Sequence, residues 1–63
     1  MENNYVVCIN SNGEQLEDCS TYQKALDIIK EYELSDKMAK EYERGYYDIY
    51  NVATEYYEKI DNL

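Results

Sequence analysis

The stretch Tyr46-Tyr47-Asp48-Ile49-Tyr50-Asn51-Val52-Ala53-Thr54-Glu55-Tyr56-Tyr57-Glu58-Lys59-Ile60-Asp61-Asn62-Leu63 decides how this 63-residue chain folds. Six of the nine tyrosines lie between Tyr42 and Tyr57. On a helical wheel Tyr46, Ile49, Tyr50, Ala53, Tyr56, Tyr57, Ile60 and Leu63 share one arc. Asp48, Asn51, Glu55, Glu58 and Lys59 share the other. That division predicts an amphipathic helix over 46–62, with an aromatic inner face and an acidic edge. The same residues are also good strand formers, and a third strand at 46–51 pairing with Tyr5 to Asn10 is the alternative. A strand there needs a turn near Val52-Ala53-Thr54, which has no Gly, Pro or Asp. The helix is therefore the expected form.

Toward the N-terminus, Tyr5-Val6-Val7-Cys8-Ile9-Asn10 is a β-branched and aromatic run, and Asn12-Gly13 behind it is a strong short hairpin signal. The return strand runs from Gln15 to Cys19, so a hairpin spans 5–19. With Asn12-Gly13 as a two-residue turn, Ile9 faces Leu16, Cys8 faces Glu17 and Val6 faces Cys19. Tyr5, Val7, Ile9 and Leu16 then form the core face. Val6, Cys8 and Cys19 form an outer face apolar enough to need a cover. The two cysteines are diagonal neighbours in this register, which predicts free thiols rather than a bridge.

Ser20 or Thr21 is a suitable N-cap for a helix over 21–34. Tyr22, Ala25, Leu26, Ile29, Tyr32 and Glu33 recur at helical spacing, and Lys24, Asp27, Lys30 and Glu31 form the wet face. Ser35-Asp36 reads as a new cap and Gly45 as a stop, giving a short helix over 36–44 or a bent continuation of the first. The expected architecture is a single α+β domain: an N-terminal antiparallel β-hairpin packed against two to three helices. The alternative is ββαβ, with the third strand at 46–51.

Fourteen acids against six bases leave a formal net charge of −8. Such a charge repels nucleic acid and anionic membranes and favours a basic partner. No apolar run approaches the ~20 residues of a membrane span. Met1-Glu2-Asn3-Asn4 is wrong for a signal peptide, so a cytoplasmic protein is expected. There is no histidine, which removes the commonest general base and the Ser-His and Cys-His pairs. Acidic neighbours raise thiol pKa values rather than lower them, so neither cysteine reads as a nucleophile. The residues from Asn10 to Glu14 miss the ligand spacing of a calcium loop, and two isolated glycines make no phosphate loop. The expectation is a non-enzymatic protein with no cofactor and no metal.

The expected partner-binding residues are Tyr47, Asp48, Asn51, Val52, Glu55 and Glu58. On the helix, Tyr47 and Val52 fall off the buried arc among the acids, as in an acidic interface with aromatic hot spots. In length, charge, the Asn12-Gly13 hairpin and the Tyr/Asp/Glu segment from Tyr46 to Asn62, the chain resembles the small acidic inhibitors encoded by bacteriophages, anti-CRISPR proteins among them. The Asn-, Tyr-, Ile-, Lys- and Glu-rich composition also fits an AT-rich coding source such as a low-GC bacterium or its phage. The resemblance implies a protein in the host cytoplasm that occupies the basic, nucleic-acid-binding surface of a host protein and does not touch nucleic acid itself. A homodimer, in which acidity serves only solubility, is the alternative.

Overall fold

A computed structural model describes residues 4–58 and 60. The first hairpin forms where the β-branched run and the Asn-Gly signal place it, as β1 (Tyr5–Ile9) and β2 (Gln15–Cys19). Its turn is longer than two residues. The Gly13 N–H donates to the Ile9 carbonyl at 2.8 Å and the Ile9 N–H to the Glu14 carbonyl at 2.9 Å. Gly13 takes a φ of 72°, and the Asn12 side chain accepts from the Glu14 N–H at 2.8 Å. A bulge between Val7 and Cys8 then moves the register again, so that Val7 faces Glu17 and Tyr5 faces Cys19. The expected Val6–Cys19 and Cys8–Glu17 pairs are therefore replaced. Cys19 turns to the core beside Tyr5, whereas Cys8 stays on the outer face. The two thiols are free and lie on opposite faces of the sheet.

Helix α1 runs over Tyr22–Met38. Thr21 caps it, its Oγ1 accepting from the Lys24 N–H at 3.1 Å. Ala25, Ile29 and Glu33, each one turn apart, form its buried side. The helix continues through Ser35-Asp36 instead of restarting there. The reason is tertiary: the Tyr47 hydroxyl donates to Asp36 Oδ2 at 2.5 Å, which fixes Asp36 in the last turns. Lys40, at φ 61°, then ends the helix, with the Glu41 N–H donating back to the Asp36 carbonyl at 2.7 Å. That is the left-handed C-terminal closure usually supplied by glycine. The expected short helix at 36–44 is thus absent; 39–46 is turn and loop.

The expected helix at 46–62 is also overturned. The segment forms β3 (Tyr47–Asn51) and β4 (Tyr56–Glu58), a second hairpin. The ββαβ alternative accounts for β3 but not for β4. The turn that the composition of 52–54 argues against is made by the residue before it. Asn51 Oδ1 accepts from the N–H groups of Ala53 at 3.0 Å and Thr54 at 3.2 Å. Glu55 adopts φ 61°, and its N–H donates to the Asn51 carbonyl at 2.8 Å. An Asx-type side-chain turn replaces the missing glycine.

All four strands join one antiparallel sheet in the order β2-β1-β3-β4. Alternate residues of the central strands point to opposite sides. Val7, Tyr47, Ile49 and Cys19 face α1 and pack with Ala25 and Ile29. Val7, Ile29 and Ile49 are fully buried, each side chain contributing about 1.5–3 kcal/mol on leaving water. Tyrosine fills one end of this layer: Tyr47 stacks on Tyr32 at 5.5 Å and meets Tyr46 edge-on at 5.0 Å. No helix of the described residues is long and apolar enough to cross a membrane.

Candidate functional site

The side of the sheet away from α1 carries the other half of the alternation. Register places Val6 beside Tyr50 and Asp18, Cys8 beside Asp48 and Gln15, and Tyr50 beside Tyr57 on this face. Among the described residues no further helix or strand is layered over it. Val6 and Cys8 are nonetheless buried. Tyr50 and Tyr57 meet edge to face at 5.2 Å, and Tyr57 is more than half exposed. An open cleft of about 320 Å³ on this face is lined by Val6, Cys8, Gly13, Gln15, Tyr50 and Tyr57. Asp18 and Asp48, the cross-strand neighbours of Val6 and Cys8, lie on the same face.

Charge divides sharply between the two layers. Residues 4–19 and 45–58, the two hairpins, carry Glu14, Glu17, Asp18, Asp48, Glu55 and Glu58 and no cation. Residues 20–44, the helix and the loop after it, carry Asp27, Glu31, Glu33, Asp36, Glu41 and Glu43 against Lys24, Lys30, Lys37, Lys40 and Arg44. The helical side is nearly neutral, so the excess negative charge of the described residues belongs to the sheet. One of the cations is held locally, with Lys37 Nζ 4.6 Å from the centre of the Tyr42 ring.

The six residues expected to bind a partner do not form one surface. Tyr47 is 9% exposed and sits in the core against Tyr32, Tyr46 and Asp36, so it is not the exposed aromatic that the helical reading required. Asn51 is 8% exposed and organises the β3–β4 turn. Its Nδ2 also donates to Glu58 Oε1 at 2.8 Å, which ties Glu58 to the hairpin. Val52 and Glu55 are exposed on that turn. Asp48 lies on the open face, where Asn10 Nδ2 donates to its Oδ2 at 2.7 Å. Tyr50 and Tyr57, assigned to the buried arc of a helix, are instead the aromatic part of the open face. The signal for them was the alternation Tyr47, Ile49, Asn51 against Asp48, Tyr50, which follows a strand rather than a helix.

The thiols have little nucleophilic character. Burial raises the Cys8 pKa, and the Asp48 carboxylate raises it further. Cys19 is raised by burial and then by Glu17 and Asp18, with Lys24 opposing. At neutral pH both therefore remain protonated. Cys8 Sγ lies 3.6 Å from the Asp48 carbonyl oxygen, to which it donates. No family model, curated protein or solved structure matches the chain.

Proposed function

We propose that this chain is a non-enzymatic interaction protein that binds the basic, nucleic-acid-binding surface of another protein, in the manner of phage-encoded inhibitors. The observation that carries this reading is the segregation of charge: six carboxylates and no cation among the described residues of the two hairpins, beside a nearly balanced helix. A basic groove would meet the sheet and not the helix. The carboxylates raise the rate of encounter and exclude acidic competitors. Tyr50 and Tyr57 offer ring faces to arginine and lysine side chains once the surfaces meet. Self-association through the same face is opposed by its own charge, since a second copy brings more carboxylates to Asp18 and Asp48.

The test is capture of partners from a low-GC bacterial lysate on the tagged protein, followed by elution with double-stranded DNA. A basic protein that leaves the column with DNA or with high salt, and is not captured when Glu14, Asp18 and Glu55 are replaced by lysine, is the expected result. A partner that neither DNA nor salt releases, or that binds the lysine variant equally well, removes the reading.

A further inference from the structure

Tyr47 and Asp48 of β3 lie next along the strand from Ile49, the partner of Glu58. A polar cavity of about 200 Å³ opens there. Glu33 of α1 and Asp48 of β3 supply its carboxylates, Asn10 an amide, and Tyr47 and Ile60 its apolar walls. Arg44, an exposed loop residue, stands at its rim.

Glu33 is the unusual member. It is 9% exposed, on the buried side of the helix one turn beyond Ile29. Among the described residues its carboxylate has no hydrogen-bond or ion-pair partner. Glu33 lines the cavity, and neither of its oxygens is sealed from solvent without a partner. A helix with an ample wet face has no folding reason to point a carboxylate inward, and here it stands where a cation can reach it.

We infer that this cavity binds the guanidinium group of an arginine side chain presented by the partner, with Glu33 as its main contact. This deepens the reading of a basic partner and rests on it. Among the described residues, two carboxylates against one arginine make the cavity a site for a cation and not for an anion. A metal ion is poorly served, because Asp48 Oδ2 is already engaged by Asn10 and no group of three metal-ligating side chains is found among the described residues. A guanidinium suits the site better than an ammonium. Its planar fork matches both oxygens of one carboxylate, and it is the more weakly hydrated cation to bring into a recess. Tyr47 and Ile60 give the methylene stem an apolar wall. Arg44 belongs to the same scheme as an internal competitor, near enough to shield the recess and outside ion-pair range of Glu33.

The experiment is an amide NMR titration of the whole chain with N-acetyl-arginine amide, using N-acetyl-citrulline amide as the neutral isostere. Saturating shifts at Gly45, Tyr47 and Asp48 are expected for the arginine compound, with a Kd on the order of 1 mM, and none for citrulline. Glu33→Gln should weaken binding at least tenfold. Arg44→Ala, on an exposed loop, should tighten it severalfold, which gives a second measure if Glu33→Gln alters the fold. Shifts scattered over the acidic surface without saturation, or binding weakened by Arg44→Ala, overturn the inference. So does binding that persists in a folded Glu33→Gln variant. Its failure is distinguishable from that of the wider reading. A captured, DNA-displaceable partner that binds Glu33→Gln undiminished removes the cavity and leaves the acidic surface. Saturable arginine binding without any such partner does the reverse.

Discussion

The two hairpins of this sheet turn by different chemistry. The first reverses on Gly13, which takes φ 72° without a Cβ to strain, helped by Asn12. The second has no glycine in its turn. It reverses because the Asn51 side chain accepts from two backbone N–H groups and holds Glu58, while Glu55 tolerates φ 61°. A turn can thus be written in its own residues or in the last residue of the strand that enters it. Only the first kind stands out in a sequence.

The largest expected effect tests that contrast directly. Asn51→Ala removes three side-chain hydrogen bonds from a nearly buried position and should cost about 2–3 kcal/mol. Urea denaturation checks it; a loss no greater than that of an exposed surface substitution would show that the β3–β4 turn stands without Asn51. Next comes the tyrosine that the second hairpin sends into the core. Burial first, and then the hydrogen bond to Asp36, hold the Tyr47 pKa far above its usual value near 10. The folded state therefore keeps this proton after the unfolded chain has lost it. The stabilisation is complete below about pH 10 and declines as pH rises above it. Tyr47→Phe should lower stability at pH 7 by about 1–2 kcal/mol through the lost bond to Asp36. It should also flatten the decline between pH 10 and 12, as thermal melts across that range will show. An unchanged alkaline slope would place the pH sensitivity elsewhere.

The smallest effects have opposite signs in the two turns. Gly13→Ala forces a side chain into the left-handed region and should cost about 1 kcal/mol. The space around Gly13 is open, so backbone strain is the whole effect. Glu55→Gly relieves such strain and should stabilise by about 0.5 kcal/mol after the entropy of glycine is subtracted. Equal signs would mean that the two turns are not the alternatives described.

What was legible follows the same division. The hairpin at 5–19 and the first helix, with Thr21 as cap and Ala25, Ile29 and Glu33 inward, could be read locally because their signals lie in their own residues. The register failed because a bulge at Val7–Cys8 leaves no mark in composition. The segment from Tyr46 to Tyr57 misled because its tyrosines come in pairs at 46–47 and 56–57. A pair puts an aromatic on either face, and so satisfies a period of two and a period of about 3.6 alike. The acidity was legible as a total, but the concentration of its net excess in the sheet required knowing that 46–58 is sheet. Glu33 was placed inward by spacing alone. The cavity it lines depends on Gly45 and Ile60, which only the tertiary fold brings near.

The strand order β2-β1-β3-β4 also sets a schedule for assembly. Each hairpin closes between near neighbours, quickly and with little entropy to surrender. The join between them, β1 to β3, pairs residues as far apart as Tyr5 and Asn51, which are 46 positions distant along the chain. A ribosome delivers Tyr5 to Met38 well before Tyr47. In that interval β1, the most apolar strand, has one flank unsatisfied and only the helix to shelter it. The nascent chain thus passes through a three-element stage with an adhesive edge. Its residence there ends only when the second hairpin arrives to cover it.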